Sequence, residues 1–313
     1  MWNRLQSPYA GLPVLAVVLV ALPLVFTNPY HYDVAIHILI NAVVAVGLNL
    51  LIGYAGQISL GHAGFYGLGA YVTGILSGVY GWHPLLSIVA ALIVVGVLAF
   101  VVARPILRLS GHYLAMATLG LGILISIVIS TEGWLTGGPD GMIVPAISLF
   151  GWELFGETKW YWVMAALLVL AVWLALNLVD SPVGRALRAV HGSEVAAQVA
   201  GVNTSNYKVL IFVVSAVFAA LMGTATAHYS GFITPDLAGF FHSIEFVTMV
   251  VLGGMASTYG ALIGAVILTL LPQLLTGFDD LEIVIFGAIL MSVMIFMPRG
   301  LVPTVAARLR REG

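Results

Sequence analysis

Two short Gly-rich stretches set polar side chains amid the apolar parts of this chain. Gln57, Ser59 and His62 lie among Gly56, Gly61 and Gly64, and Thr234 and Asp236 lie between Gly231 and Gly239. Inside a low-dielectric interior such groups can hydrogen-bond a solute as it passes, or tie neighbouring helices together. Glu245, His37, His62 and His112 stand in or at the ends of apolar runs, but their spacing makes no proton relay and no sodium cage. Ion-driven pumps concentrate ionisable groups inside the membrane. Other chemistries are excluded more simply. There is no Gly-x-x-x-x-Gly-Lys-Ser/Thr phosphate loop, hydrolytic triad or metal-ligand cluster, and no cysteine. The expectation is a chain that is not an enzyme, binds no cofactor of its own and draws energy from elsewhere.

The elements that must position these groups are membrane helices. Of 313 residues 61% are hydrophobic and only 8% charged, with a mean hydropathy of +1.09; a soluble domain carries about 25% charged residues. Since about 20 apolar residues cross a bilayer, the apolar runs predict about ten crossings, near 12–27, 34–55, 64–79, 84–103, 112–130, 160–179, 208–228, 244–256, 259–276 and 282–298. The fold class is therefore all-α and polytopic, with residues 1–313 as a single transmembrane domain. Leu12 to Phe26 reads as a retained first helix rather than a signal segment. The runs 64–79 and 244–256 are short and Gly-rich, which suits tilted, broken or re-entrant elements.

Orientation follows from basic residues, which stay on the cytoplasmic side. With the N-terminus inside, Arg4, Arg104, Arg108, Arg185, Arg188, Lys208, Arg299, Arg308, Arg310 and Arg311 are all cytoplasmic, and Lys159 alone is external. Both termini then lie in the cytoplasm. Asp33, Glu132, Asp140, Glu153, Glu157, Asp236, Asp279 and Asp280 fall outside. Such an acidic outer face suits a basic partner, or simply solvated loops. Trp134, Trp152, Trp160 and Trp162 near the loop 131–159 read as interfacial anchors.

The two polar stretches are copies of each other. A shift from Tyr54 to Tyr229 aligns Tyr, Gly, Ile, Ala, Gly and Phe without a gap, and Ser59 with Thr234. The first copy follows an inward-running helix and the second an outward-running one, so segments of about 34–130 and 208–298 are expected to be inverted repeats, a transporter signature. Gln57, Ser59, His62, Thr234 and Asp236 become the expected lining of a translocation path, with helix–helix hydrogen bonding as the alternative role for each. Asn41 and Asn49 read first as interhelix ties. Other glycines, such as Gly120, Gly122, Gly260 and Gly264, read as close helix packing.

Residues 180–207 form the longest polar segment on the inner face. Pro182 and Gly184 mark a turn, Gly192 interrupts, Ser193 can cap, and Glu194 through Ala200 form a small helix stopped by Gly201. Ala196 and Ala197 would let another protein approach closely.

Glu194-Val-Ala-Ala-Gln-Val-Ala-Gly201 resembles the E-A-A-x-x-x-G loop by which ABC importer permeases contact their ATPase, with Val195 as an extra residue. Longer segments resemble the branched-chain amino acid ABC transporter permease family: G-Y-A-G-Q-I-S-L-G-H-A-G-F at 53–65, T-G-G-P-D-G at 136–141, G-R-A-L-R-A-V at 184–190, A-A-Q-V-A-G-V-N at 196–203, Y-K-V-L-I-F at 207–212, L-G-G-M-A-S-T-Y-G-A-L-I-G-A at 252–265 and P-R-G-L at 298–301. One departure is Met255-Ala256-Ser257, where the family pattern has Gly-Ser after the first variable position.

The resemblance implies a permease subunit embedded in membrane lipid. It would work with a second homologous permease subunit, two cytoplasmic ATP-binding-cassette ATPases that use ATP and Mg, and an extracytoplasmic substrate-binding protein; no nucleic acid is involved. Glu194, Ala196, Ala197, Gly201, Arg185 and Arg188 would couple to the ATPase, and Glu132 and Asp140 would dock the binding protein. The implied substrate is a branched-chain amino acid. Urea, short amides or other amino acids are alternatives, as is a channel or facilitator for a small neutral solute.

Overall fold

A computed structural model describes residues 8–26, 28–149, 152–275, 284–285, 287–288, 291, 295–297 and 300–304. The predicted run 282–298 lies mostly outside the described residues, as do Arg4, Asp279, Asp280, Arg299, Arg308, Arg310 and Arg311.

The chain begins with α1 (Gly11–Ala21), extended by a 3₁₀ turn to Leu24. Asn28 caps α2 (Pro29–Asn49) by accepting the Tyr30 N–H, with Pro29 in the first turn, where a missing N–H costs nothing. A π-helical turn carries α2 on to Tyr54. The elements α3 (His62–Gly74, continued by a π turn to Val79), α4 (Pro84–Ile106), α5 (His112–Thr131) and the single turn α6 (Gly133–Thr136) follow. Next come α7 (Glu157–Asp180), α8 (Pro182–Gly192), α9 (Glu194–Val199), α10 (Thr204–Ser230), α11 (Phe240–Gly253) and α12 (Thr258–Leu275). Four two-residue strands pair antiparallel: β1 (Met142–Ile143) with β4 (Phe232–Ile233), and β2 (Ser148–Leu149) with β3 (Trp152–Glu153).

The fold is all-α and polytopic, and each of the nine predicted runs within the described residues falls on a helix. Only six of these helices, Pro29–Tyr54, Pro84–Ile106, His112–Thr131, Glu157–Asp180, Thr204–Ser230 and Thr258–Leu275, are long and apolar enough to cross a membrane; Gly11–Leu24 and Phe240–Gly253 are shorter. Of the other four predicted runs, 12–27 and 244–256 fall on these two shorter helices, 64–79 falls on the Gly-rich α3, and 282–298 lies mostly outside the described residues.

At the centre stand α2 and α10, with 78% and 67% of their most apolar stretches buried, against 22% for α4 and 28% for α5. α10 packs on α2, α3 and α4, and α2 packs on α7, α11 and α12. With polar caps at the bundle ends and lipid-like apolar surface on α4 and α5, association rests on close packing rather than on a hydrophobic driving force. Gly223 shows this best: a Cβ there would run into the Tyr66 carbonyl of α3. Gly260 and Gly264 of α12 press on α11 in the same way, and Gly122 on Gly61, whereas Gly120 faces open space. Polar ties reinforce the contacts. Asn41 Nδ2 donates to Thr269 Oγ1 at 3.0 Å, and Asn49 Oδ1 accepts from the Ala256 N–H at 3.0 Å.

The departure seen in the sequence falls in the turn between α11 and α12. Ala256 has φ +58, the one non-glycine residue with positive φ among the described residues. Its backbone adopts the left-handed conformation that glycine accepts freely.

Candidate functional site

The first break opens where the π turn of α2 ends. Gly56 has φ +67, and the chain then runs non-helically until His62 begins α3. α3 starts inside the bundle and not at its end, since His62 Nε2 meets Ser215 Oγ of α10 at 2.7 Å. Ser215 lies eleven residues past Thr204, about 16 Å along α10 at 1.5 Å per residue. The other ring nitrogen, Nδ1, meets Ser59 Oγ at 2.9 Å, and the Phe65 and Phe212 rings pack edge-on against the imidazole. Thr118 of α5 accepts the Leu60 N–H.

The second break follows the C-terminal end of α10. Gly231 shares the φ of +67 found at Gly56, its counterpart in the repeat. β4 then pairs with β1, a 3₁₀ turn covers Pro235–Ala238, and α11 starts at Phe240. This segment also lies against α3: a Cβ on Gly67 would come within 2.5 Å of the Ala238 Cβ. The starts of α3 and α11 meet where Ser243 Oγ accepts the Ala63 N–H at 3.1 Å.

The five residues expected along the path do not form one cluster. Ser59 and His62 come together but are buried, each 1% exposed, and tie the first break to α10. Gln57 is half-buried and folds its amide back onto the Ala55 carbonyl at 3.0 Å. Thr234 is half-buried and Asp236 exposed at the opposite, β1–β4 end.

The polar segment after α7 folds as the two helices its sequence predicts. Ser181 caps α8, accepting from Val183 N and Gly184 N; Ser193 caps α9, accepting from Ala196 N; and Gly201, with φ +84, ends it. Ala197 is buried, while Ala196 and Gly201 are exposed together with Val195 and Val199, which are 72% and 86% exposed. Glu194 turns inward. Its carboxylate receives Lys208 Nζ at 2.5 Å and Thr204 Oγ1 at 3.2 Å, fastening α9 to the first turns of α10. The Lys208 side chain is almost wholly buried, so this pair is far more shielded than a surface ion pair. Arg185 and Arg188 are exposed and donate to the Asp180 and Val179 carbonyls, the unpaired C-terminal groups of α7, where positive charge also meets the helix dipole favourably. α8 in turn touches the first break, as a Cβ on Gly56 would lie 3.3 Å from the His191 ring.

At the β1–β4 end, Thr136 to Gly141 fold tightly. Thr136 Oγ1 donates to the Ile129 carbonyl and accepts the Gly138 N–H, and Gly141 lies directly on the Ile233 carbonyl of β4. Glu132 accepts the Trp134 indole N–H at 2.8 Å, and Asp140 is exposed. Of the expected anchors, Trp134 is 79% exposed, whereas Trp160 is buried and donates to the Leu154 carbonyl.

Sequence reasoning missed Ser215, Ser243, Thr118 and the inward role of Lys208. A lone serine in an apolar helix carries no periodic signal, and the Glu194–Lys208 pair spans a turn between two helices.

Residues 31–297 match the family described as branched-chain amino acid transport system / permease component. The chain is 32% identical to the high-affinity branched-chain amino acid transport system permease protein LivM of Salmonella typhimurium, covering 96% of this chain and 76% of that one. It is 26% identical to the corresponding LivH protein of Escherichia coli, over 83% of this chain and 90% of LivH. It is 29% identical to the ribose import permease protein RbsC of Haemophilus influenzae, over 76% of this chain and 72% of RbsC. No solved structure matches the chain. An α-helical bundle with two Gly-marked breaks and a capped, projecting helix pair is thus joined to a match over most of its length: the chain belongs to the branched-chain amino acid transport system permease family, and it is a transport subunit rather than an enzyme.

Proposed function

We propose that this chain is the membrane-spanning subunit of an ATP-driven importer of branched-chain amino acids, coupled through α9 to a cytoplasmic ATPase. The observation that carries the reading is α9 itself. Its outward face is apolar and small at Val195, Ala196, Val199 and Gly201, while Glu194 and Lys208 lock its inward side to α10. A load on α9 would pass to α10 through that pair and to the first break through His191 and Gly56. ATP and Mg are used by the partner ATPases and not by this chain.

The packing pattern supports two inverted halves. Exchanging α2, α3 and α4 with α10, α11 and α12 turns the α10–α3, α10–α4 and α3–α4 contacts into α2–α11, α2–α12 and α11–α12, all of which occur. In this reading ATPase closure tilts the halves and exposes the path alternately to each side. The termini and α8–α9 face the cytoplasm of a bacterial inner membrane, and about ten segments enter the bilayer. A second permease completes the pair. The β1–β4 end, where Glu132 and Asp140 are exposed, receives the substrate-binding protein.

The test is purification from native membranes in mild detergent, followed by reconstitution. Stoichiometric recovery of a P-loop ATPase and a second permease, with ATP-dependent uptake of leucine, isoleucine or valine on adding the binding protein, is expected. Recovery of this chain alone, or with copies of itself, would favour a channel or facilitator. Assembly with uptake of ribose, urea or a short amide instead would keep the importer and change its substrate.

A further inference from the structure

Glu245 is an acid on the outside of a membrane helix. It lies two residues past Ser243, which meets the start of α3 inside the bundle, so Glu245 stands at depth and not at a bundle end. The opposite face of α11, with Ser243, Phe246, Met249 and Val250, is buried, and α11 packs on α2, α3 and α12. The Glu245 side chain is 52% exposed, on the same face of α11 as Phe241 and Ile244, which are also exposed. Among the described residues its ion-pair partner is His242, whose Nδ1 is 3.1 Å from Glu245 Oε2. That imidazole is clamped between Tyr66 and Phe246, and its Nε2 is buried without a hydrogen-bond partner. The packed ring therefore orients the carboxylate it contacts.

An ionised carboxyl at this depth is costly against acyl chains, which is why intramembrane acids face protein or water-filled cavities. We infer that Glu245, oriented by His242, lines the water-filled translocation path and receives the ammonium group of the passing amino acid, with Phe241 and Ile244 beside the apolar side chain. This rests on the importer reading above and adds a substrate-contacting residue to it. A cationic end paired with a carboxylate and an apolar body against apolar walls is the complementarity that a zwitterion with an aliphatic side chain requires.

The chain has no cysteine, so a single cysteine reports on one position. In the reconstituted complex, Glu245→Cys is expected to react with a cationic, membrane-impermeant methanethiosulfonate at least tenfold faster than Val97→Cys on the exposed face of α4, with labelling read by mass on this chain. Glu245→Gln is expected to lower ATP-dependent leucine uptake at subsaturating substrate at least tenfold, with assembly and ATPase activity retained, and Glu245→Asp to recover part of it. Labelling no faster than at Val97, normal uptake by Glu245→Gln, or dissociation of the permease pair by Glu245→Gln, which would mark an ion pair between subunits, overturns this inference alone. Failure of the unaltered complex to take up amino acids overturns the importer reading and this inference with it.

Discussion

Glu194→Gln isolates the fastening of α9. The substitution keeps the shape of the side chain and the acceptor for Thr204 but removes the charge that balances Lys208, which is buried to 3% exposure. Breaking one partner of a fully buried pair costs about 3–5 kcal/mol. Glu194 is 39% exposed on its side chain, so water screens part of the loss, and we expect roughly 2–3 kcal/mol here. At about 1.4 kcal/mol per factor of ten, the balance between docked and undocked α9 shifts by about 30- to 150-fold. The ammonium is then free to pull the start of α10 toward water. Glu194→Gln should lower the melting temperature of the detergent-solubilised complex and, in proteoliposomes, reduce amino acid uptake per ATP hydrolysed. Glu194→Gln with Lys208→Met removes both charges and should restore much of the melting temperature. Unchanged melting and coupling in Glu194→Gln, or a double variant worse than either single one, would refute the view that this pair carries force from α9 to α10.

Three further outcomes follow from the packing. His62→Leu strips the Ser59 and Ser215 hydroxyls of their shared partner, and at about 1–3 kcal/mol for each buried group left unpaired it should lower the melting temperature clearly; an unchanged melt with altered substrate affinity would move His62 from a helix tie to the path. Gly223→Ala would stabilise an isolated helix by about 1 kcal/mol, yet the Tyr66 carbonyl occupies the space of the new methyl group, so folded protein recovered by size-exclusion chromatography should fall sharply. Normal recovery would mean that α3 and α10 are not packed as described. Ala256→Gly relieves a left-handed conformation worth about 1–2 kcal/mol while loosening the unfolded chain by roughly 0.5–1 kcal/mol, so a small gain in melting temperature is expected, against a clear loss for Ala256→Val.

The helices were legible because their signal is local: a run of apolar residues, as at 34–55, is enough to place α2. Both breaks were legible for a related reason. Gly56 and Gly231 recur in the repeat, and both take a backbone angle that favours glycine. Ala256 even announced itself as an exception to a pattern, although only the backbone showed that the position demands φ +58. Partnership across the chain was not legible. His62 and Ser215 are 153 residues apart, and neither position advertises the other. The arginines at 185 and 188 show a different limit: charge pattern located them on a loop, but their use as caps for α7 depends on how α8 folds back across its end. The number of crossings exceeded what hydropathy can decide, because α3 and α11 begin inside the bundle and not at its surface.

The companionship of α3 with α10 sets a timetable for making this protein. α3 presents Gly69 and the Tyr66 carbonyl to surfaces of Ala220 and Gly223 that are synthesised some 150 residues later. At about 5–20 residues per second, the helix waits on the order of ten seconds with its small-residue face and His62 unmatched. During that interval the ribosome adds α4 and α5, which pack on α3, but not α10, the helix with which α3 makes its most extensive contact. Interruption of synthesis before α10 would therefore leave the first half inserted but without its central neighbour, a substrate for membrane quality control and not a half-sized transporter.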